Sequence, residues 1–160
     1  MTAIFSPDGL YRYRLERDLG ALACTRGACA FIMLNPSTAD ETANDPTVRR
    51  CIGFAARWGY TRLIVGNAYA WRSTDPDALW SAADPVGPDN DRHLEQIARD
   101  AELVVCAWGA HAKPHRVAAV RHAIERAGRQ PHALAFTAAG QPRHPLYLRG
   151  DLQPQIWSPP

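Results

Sequence analysis

The sequence predicts a mixed α/β fold: a three-layer α/β/α domain whose central sheet is mostly parallel and four-stranded. From residue 29 onward, apolar runs of strand length alternate with segments whose apolar residues recur at helical spacing. Such alternation is typical of units in which a helix connects two parallel strands. The apolar runs also stop abruptly at polar, turn-forming residues, as strands do when they end in a loop at the edge of a sheet.

Each core element follows from this periodicity. The apolar runs predict four core strands, at residues 29–34, 61–66, 102–107 and 133–136. Helical spacing of apolar residues predicts helices at residues 45–59, 76–82, 90–101 and 111–127. Asp45 and Pro46 suit the start of the first helix, because a carboxylate accepts free backbone N–H groups and proline needs no partner at the first position.

A β-hairpin is expected ahead of this core, at about residues 8–28. Residues 10–15 alternate apolar and polar side chains, which is typical of a half-buried strand, and residues 21–24 are apolar enough to return antiparallel to them. The α/β core then covers about residues 29–150, and an irregular tail covers residues 151–160. At 160 residues the chain is predicted to be one domain.

The composition excludes several classes of protein. Hydrophobic residues make up 46% and charged residues 21%, a balance that supports a packed core and excludes a disordered chain. The net charge of +2 permits a polyanionic partner without requiring one. The four cysteines form no CxxC pair, so we expect reduced structural thiols. No apolar run approaches the roughly 18 residues of a membrane span, so the protein is predicted to be cytoplasmic, with no membrane partner.

Polar side chains stand where the predicted strands end. Asn35 follows the first core strand, Asn67 follows the second, and His144 comes after the last apolar run. Because parallel strands bring their carboxyl ends to one edge of a sheet, we expect these three side chains to meet there. An asparagine amide both donates and accepts, so it can hold a water or read the edge of a base. For each asparagine a local alternative stays open, namely a hydrogen bond that only fixes the following loop.

Further candidates flank these three positions. Asp40 lies in the long polar loop of residues 35–46 and can orient a water or cap a turn. Trp71 can stack on a base or fill a junction between helix and sheet. The Leu-Tyr-Leu segment at residues 146–148 can insert into a base stack or cover the core. Neither an HExxH pair nor a GxSxG elbow is present, so neither metal catalysis nor a serine nucleophile is predicted.

The order of three short motifs resembles the uracil-DNA glycosylase superfamily. Leu34-Asn35-Pro36-Ser37 is similar to the motif that ends the first strand in that superfamily, Val65-Gly66-Asn67-Ala68 to the second, and His144-Pro145-Leu146 to the closing His-Pro motif. Ser37 and Leu146 depart from the residues usual at their positions. The similarity covers about residues 29–150. Over nearly its full length the chain also resembles the bacterial DUF1643 family, through the LNPSTAD run at residues 34–40.

The glycosylase resemblance implies roles for individual residues. Asn35 would position the attacking water, and His144 would stabilise charge that develops on the base, so these two are the implied catalytic residues. Asn67 would read the base edge. The implied substrate-binding residues are Pro36, Ser37, Asp40, Asn67, Trp71, Leu146, Tyr147 and Arg149. No cofactor and no metal ion is implied.

Three functions are compatible with the sequence. The first is hydrolysis of the N-glycosidic bond of a flipped, modified base in DNA, by a uracil-DNA-glycosylase-like protein. The second is a non-catalytic module on the same fold that binds nucleic acid, a nucleotide or a modified base. The third is a small-molecule hydrolase or transferase unrelated to nucleic acid. The predicted partner is therefore a nucleic acid, DNA first, or a small molecule that contains a nucleobase.

Overall fold

The computed structural model describes residues 1–20 and 24–159, which form one mixed sheet and four helices. The strands are β1 (Thr2–Phe5), β2 (Arg12–Asp18), β3 (Arg26–Met33), β4 (Tyr60–Asn67), β5 (Leu103–Cys106), β6 (Pro131–Ala133) and β7 (Gln155–Ile156). The helices are α1 (Pro46–Arg57), α2 (Pro76–Ser81), α3 (Asn90–Asp100) and α4 (Pro114–Arg126).

The strand β3 lies in the middle of a seven-stranded sheet, whose order is β1-β2-β4-β3-β5-β6-β7. It pairs in parallel with β4 and β5, and β5 pairs in parallel with β6. The strands β1, β2 and β7 extend the two sides of the sheet as antiparallel partners. The predicted mixed α/β fold is confirmed, but the sheet of the described residues has seven strands rather than four.

The N-terminal hairpin differs from the predicted one. β1 pairs antiparallel with β2, and the other side of β2 pairs antiparallel with β4. The predicted hairpin instead paired residues 10–15 with residues 21–24, and residues 21–23 lie outside the described part of the chain. The four residues of β1 are too few to give a periodic signal, so the true partner of β2 could not be found from its pattern.

Buried side chains from β3 alternate between two hydrophobic clusters, because successive residues of a strand point to opposite faces of the sheet. Cys29, Phe31 and Met33 pack with α1, whereas Ala30 and Ile32 pack with α3 and α4. The ring of Phe31 stacks on Trp58, at 6.0 Å between centroids. Each fully buried large apolar side chain contributes about 1.5–3 kcal/mol to folding, so the two clusters fix the helices on the sheet.

The helix α1 begins where its sequence predicts. The Asp45 carboxylate accepts a hydrogen bond from the backbone N–H of Val48 at 2.8 Å, and Pro46 occupies the first turn. The helix is followed by Gly59, whose φ of +84° is the left-handed conformation that glycine tolerates. The start of α1 is thereby fixed beside the carboxyl end of the sheet.

Close packing at Gly66 positions the end of β4. A Cβ atom at this residue would lie 2.9 Å from Cδ1 of Ile97, 3.0 Å from Cδ2 of Leu94 and 3.1 Å from Cδ1 of Ile32. Only a residue without a side chain therefore lets α3 pack this closely on β4. The next residue along the chain is Asn67.

The cysteines are structural in character. Cys29, Cys51 and Cys106 are buried and free, and Cys24 is free and partly exposed. Burial raises the pKa of the Cys29 and Cys106 thiols well above the usual range, which keeps them protonated and unreactive. Among the described residues, no helix combines the length and the apolar character needed to cross a membrane.

Candidate functional site

Parallel pairing brings the ends of β3 and β4 to the same edge of the sheet. Met33 is in register with Asn67, so Asn35 lies just beyond the end of β3. The pairing continues past the strands, because the N–H of Ala68 donates to the carbonyl of Met33 at 2.7 Å. The loops that carry the two predicted asparagines are therefore held side by side.

Asn35, Asn67 and His144 line one cavity of about 160 Å³ at this edge, which we call the central cavity. A water molecule takes up roughly 30 Å³ in the liquid, so the cavity has room for about five waters or one small ring. Its other lining side chains include Arg12, Ser37, Asp45, Thr47, Ser73 and Thr74. The lining is predominantly polar, which suits a ligand held by hydrogen bonds.

The amide of Asn67 is buried without a hydrogen-bond partner. The residue is 1% exposed, and neither its Oδ1 nor its Nδ2 has a partner among the described residues. Leaving a buried donor or acceptor unsatisfied costs about 1–3 kcal/mol, so native proteins rarely keep such a pair without a use for it. The amide thus offers one donor and one acceptor to a ligand.

A second buried asparagine fixes the backbone that carries Asn67. The Nδ2 of Asn90 donates to the carbonyls of Asn67 and Ala68, at 3.0 and 3.2 Å. The Nε of Arg116 also donates to the carbonyl of Ala68, at 2.5 Å, and its Nη1 lies 2.6 Å from Asp91. These contacts hold the turn after β4 rigid and hold the Asn67 side chain in the cavity.

His144, in the segment between β6 and β7, is a neutral hydrogen-bond donor. Burial lowers the pKa of its imidazole, although Asp45 acts in the other direction. Its Nδ1 accepts a hydrogen bond from the N–H of Leu146 at 3.3 Å, which leaves the proton on Nε2. The loop after β5 supports this segment, because the N–H of Gly109 donates to the carbonyl of Pro142 at 2.8 Å.

The amide of Asn35 is partly used by the backbone around it. Its Nδ2 donates to the carbonyl of Pro36 at 3.2 Å and to that of Ser73 at 2.9 Å. This is a form of the local alternative raised by the sequence, in which the amide fixes its own loop. The acceptor Oδ1 is the part of Asn35 that can still bind a water.

Two charged residues that line the cavity, Asp45 and Arg12, are not among the predicted site residues. Asp45 lines the cavity while one of its oxygens caps α1. Arg12, at the start of β2, is 2% exposed; its Nη1 donates to the carbonyl of Ala39 at 2.6 Å, and its Nε is buried with no partner among the described residues. Burial lowers the pKa of Arg12 to about 10, with Asp45 opposing that shift. Arg12 remains a cation at neutral pH.

Six of the predicted site residues do not line the cavity: Pro36, Asp40, Trp71, Leu146, Tyr147 and Arg149. The carboxylate of Asp40 accepts from the N–H groups of Thr42 and Ala43, at 2.7 and 2.8 Å, and these bonds lower its pKa. Asp40 therefore caps a turn rather than facing the central cavity. Pro36 is buried, and its contribution is the carbonyl that accepts from Asn35.

The remaining candidates lie around the cavity rather than in it. Trp71 packs edge-on against Tyr11, with 5.5 Å between ring centroids. Leu146 is half-buried beside His144, and Arg149 pairs with Asp151 at 2.5 Å. Leu148, the end of the predicted insertion segment, is buried in the hydrophobic cluster of α1 and is not free to insert into a base stack.

Tyr147 stands apart from this group. Its side chain is 92% exposed, and its φ of +68° lies in the left-handed region, which is unusual for a residue with a side chain. Such a conformation costs of order 1 kcal/mol or more and persists where the surroundings impose it. Tyr147 is therefore the member of the segment that projects into solvent.

The fold and the site define a mixed α/β protein with a small polar cavity at the carboxyl ends of its parallel strands. The model of a protein family of unknown function, DUF1643, matches residues 12–146. The chain belongs to this family, as the LNPSTAD run indicated. Searches of curated proteins and of solved structures find no match to it. Within the described part of the chain, no cluster of three or more His, Cys, Asp or Glu side chains is arranged to hold a metal ion.

Proposed function

We propose that the central cavity binds a single nucleobase, extruded from a nucleic-acid strand, and that the protein hydrolyses its N-glycosidic bond. The observation that carries this proposal is the unpartnered amide of Asn67, buried at the end of β4. An adjacent donor and acceptor on a rigid support complement the carbonyl and N–H groups that neighbour each other on a base edge.

The size and lining of the cavity support a base rather than a whole nucleotide. A volume of about 160 Å³ accommodates one ring and leaves the sugar and phosphate outside. The resemblance to the uracil-DNA glycosylase superfamily agrees with this proposal, because it relates the motifs of Asn35, Asn67 and His144 to one site. In the same proposal, the parallel strands β4, β3, β5 and β6 with helices against both faces form the three-layer core of such a domain.

The proposed reaction is an addition of water across the glycosidic bond. The water oxygen forms a bond to the anomeric carbon, the bond from that carbon to the base nitrogen breaks, and its electron pair leaves with the base. The Nε2–H of His144 donates to the base oxygen on which negative charge develops, and the cation of Arg12 stabilises the same charge. The Asp45 carboxylate takes the water proton, while Oδ1 of Asn35 orients the water. The base leaves as an anion and is protonated by solvent, and Asp45 returns its proton to solvent.

A second candidate function is binding of the same base without turnover. One observation favours it: the Asn35 amide is held by two backbone carbonyls, and one oxygen of Asp45 already caps α1. Both groups that act on the water, Asn35 and Asp45, thus have structural tasks in addition to the proposed chemical ones. In this candidate the cavity recognises a base and the surrounding surface holds the strand.

A base-release assay distinguishes the two. Single-stranded and duplex oligonucleotides, each with one modified base, are incubated with the protein and tested for abasic sites. Hydrolysis predicts release of one class of base, and a loss of at least about 100-fold in His144→Gln and Asp45→Asn. Base-selective binding without abasic product supports the second candidate. If no base alters either binding or product, both are wrong.

A further inference from the structure

Three arginines on the outer side of α1 have no carboxylate partner. Arg49, Arg50 and Arg57 make no ion pair within 4 Å among the described residues. The surface arginines of α3 and α4, which are exposed or half-buried, behave differently, since Arg92, Arg99, Arg121 and Arg126 each pair with an acid. The guanidinium groups of α1 therefore lack a direct ion pair within the described part of the chain, although Arg57 lies near enough to Asp151 to lower the pKa of that carboxyl.

Two of these guanidinium groups converge on one point. Nη1 of Arg50 and Nη2 of Arg57 would lie 3.7 and 3.9 Å from a Cβ atom at Gly150. The two arginines are seven residues apart and thus on the same side of the helix. Gly53 lies between them and leaves open space at its own Cβ position. Like charges that converge without an acid between them indicate the position of an anion.

The resulting hollow fits a single phosphate group in size and chemistry. The three arginines, Gly53 and Gly150 enclose about 110 Å³. Arg50 is already oriented: its guanidinium lies 5.1 Å from the centroid of the Phe54 ring, and its Nε is buried with no partner among the described residues. A guanidinium offers a planar pair of donors that matches two phosphate oxygens. Asp151, which follows Gly150, accepts from Arg149 at 2.5 Å, and Arg57 acts on it only at longer range.

The hollow and the central cavity are joined by two chain segments. The first turn of α1 lines the cavity at Asp45 and Thr47, and the same helix continues to Arg50 and Arg57. On the other side, the chain runs from His144 in the cavity to Gly150 in the hollow. Between these two residues lies the exposed ring of Tyr147, which offers a stacking surface for an unpaired base.

We propose that Arg50 and Arg57, with Gly150, form a binding site for a backbone phosphate of the nucleic-acid strand whose base enters the central cavity. We call it the arginine site. The identity of the strand rests on the proposed function, whereas the anion preference rests on the two unpaired guanidinium groups. The site would fix the register of the strand on the protein, because phosphate contacts position a nucleic acid without reading its sequence.

The test is the salt dependence of binding to a fluorescently labelled 12-nucleotide single strand. Anisotropy gives the dissociation constant between 50 and 300 mM KCl for the wild type, the Arg50→Gln/Arg57→Gln variant and a charge-matched Arg92→Gln/Arg126→Gln control on α3 and α4. Each phosphate contact to a single strand adds about 0.7 to the slope of log K against log salt. Loss of the arginine site, which holds one phosphate, should lower that slope by about 0.7 and weaken binding about fivefold at 100 mM KCl. The control should retain the wild-type slope.

Several outcomes would overturn the arginine site. These are an unchanged slope in Arg50→Gln/Arg57→Gln, an equal loss in the control, or no wild-type binding at 50 mM KCl. Inorganic phosphate that binds the wild type when the strand does not would assign the hollow to a free anion instead.

The variant Asn67→Leu separates the two proposals. If base recognition alone fails, Asn67→Leu binds every strand as the wild type does, while the arginine variant still loses slope. If the arginine site alone fails, Asn67→Leu loses its preference for one class of base, while the arginine variant keeps the wild-type slope.

Discussion

The Nδ2 of Asn90 donates to the backbone carbonyl of Asn67 at 3.0 Å, and the two buried asparagines have opposite tasks. Asn90 spends its amide hydrogens on the backbone of the turn after β4. Asn67, on that same turn, has no partner for either amide atom among the described residues. One asparagine therefore stabilises the fold, and the other is positioned by the fold for a ligand.

Replacing Asn90 should destabilise the protein. In Asn90→Ala the carbonyl of Asn67 loses the hydrogen bond from Nδ2, so we expect the free energy of unfolding to fall by about 2 kcal/mol. Denaturant unfolding followed by tryptophan fluorescence measures this change. A loss below about 0.5 kcal/mol would show that the contact does not hold the turn.

Replacing Asn67 should leave the stability of the protein intact but abolish binding of the base. Asn67→Leu removes an unsatisfied donor and acceptor from the interior at similar volume, so we expect stability to be unchanged or raised by about 1 kcal/mol. Binding of the base should be lost at the same time. The same unfolding experiment, run beside Asn90→Ala, provides the comparison. Strong destabilisation of Asn67→Leu would mean that the amide has a structural partner.

The two tasks of Asp45 can be separated by two substitutions. Asparagine also caps helices, so Asp45→Asn should keep stability within about 0.5 kcal/mol, while Asp45→Ala should lose about 1 kcal/mol. If the carboxylate takes the water proton, both variants should lose base release to a similar extent. Thermal unfolding and the abasic-site assay are the two readouts. An active Asp45→Asn would exclude a proton-accepting role.

The stability of the protein should fall on mild acidification because of His144. Burial lowers its pKa in the folded state below the ordinary value of about 6.5 that it has when unfolded. Just below that value the unfolded chain binds more protons, so stability is full above it and decreases as the pH drops toward the folded-state pKa. The pKa of His93 is lowered in the same direction, also by burial.

The substitution His144→Gln should therefore reduce the change in Tm between pH 7.5 and 5.5. Part of the change should remain, since His93 is still present. His122→Gln, at an exposed position on α4, serves as the control. Equal pH dependence in the wild type and His144→Gln would contradict the assignment of His144 as a half-buried group that is neutral in the folded state.

Gly66 should not tolerate a side chain. The Cβ of Gly66→Ala would meet three apolar atoms at 2.9–3.1 Å, so we expect a loss of about 1–3 kcal/mol in the free energy of unfolding. Chemical denaturation measures the loss, and Gly53→Ala, where a Cβ would meet nothing within 4 Å, is the matched control. Equal stability of the two variants would mean that α3 can move away from β4.

The sequence predicted the positions that depend on strand ends, and it missed those that depend on distant packing. Asn35 and Asn67 could be brought together in advance, because apolar runs mark their strands and parallel strands end at one edge. His144 lies eleven residues beyond the end of β6, so its place in the cavity does not follow from a strand end. Arg12 could not be placed there in advance either, since it reaches the cavity only because β2 pairs with β4, a contact between distant segments that local patterns do not encode.

Several of the predicted loop residues lie outside the central cavity for a related reason. The carboxylate of Asp40 is able to orient a water, but it already accepts hydrogen bonds from the backbone N–H groups of Thr42 and Ala43. Within the Leu-Tyr-Leu segment, three apolar or aromatic residues in a row do not indicate which side chain is buried. The left-handed backbone at Tyr147 exposes that ring, and Leu148 packs into the core.

The central claim is that the Asn67 amide binds the edge of a nucleobase, and NMR of that amide tests it most directly. Protein labelled with ¹⁵N at asparagine is titrated with a panel of free pyrimidine and purine bases. The Asn67 cross-peak is assigned by its absence in Asn67→Leu. We predict that one class of base shifts this cross-peak to saturation while that of Asn90 moves little. An Asn67 cross-peak that no base shifts would contradict the account.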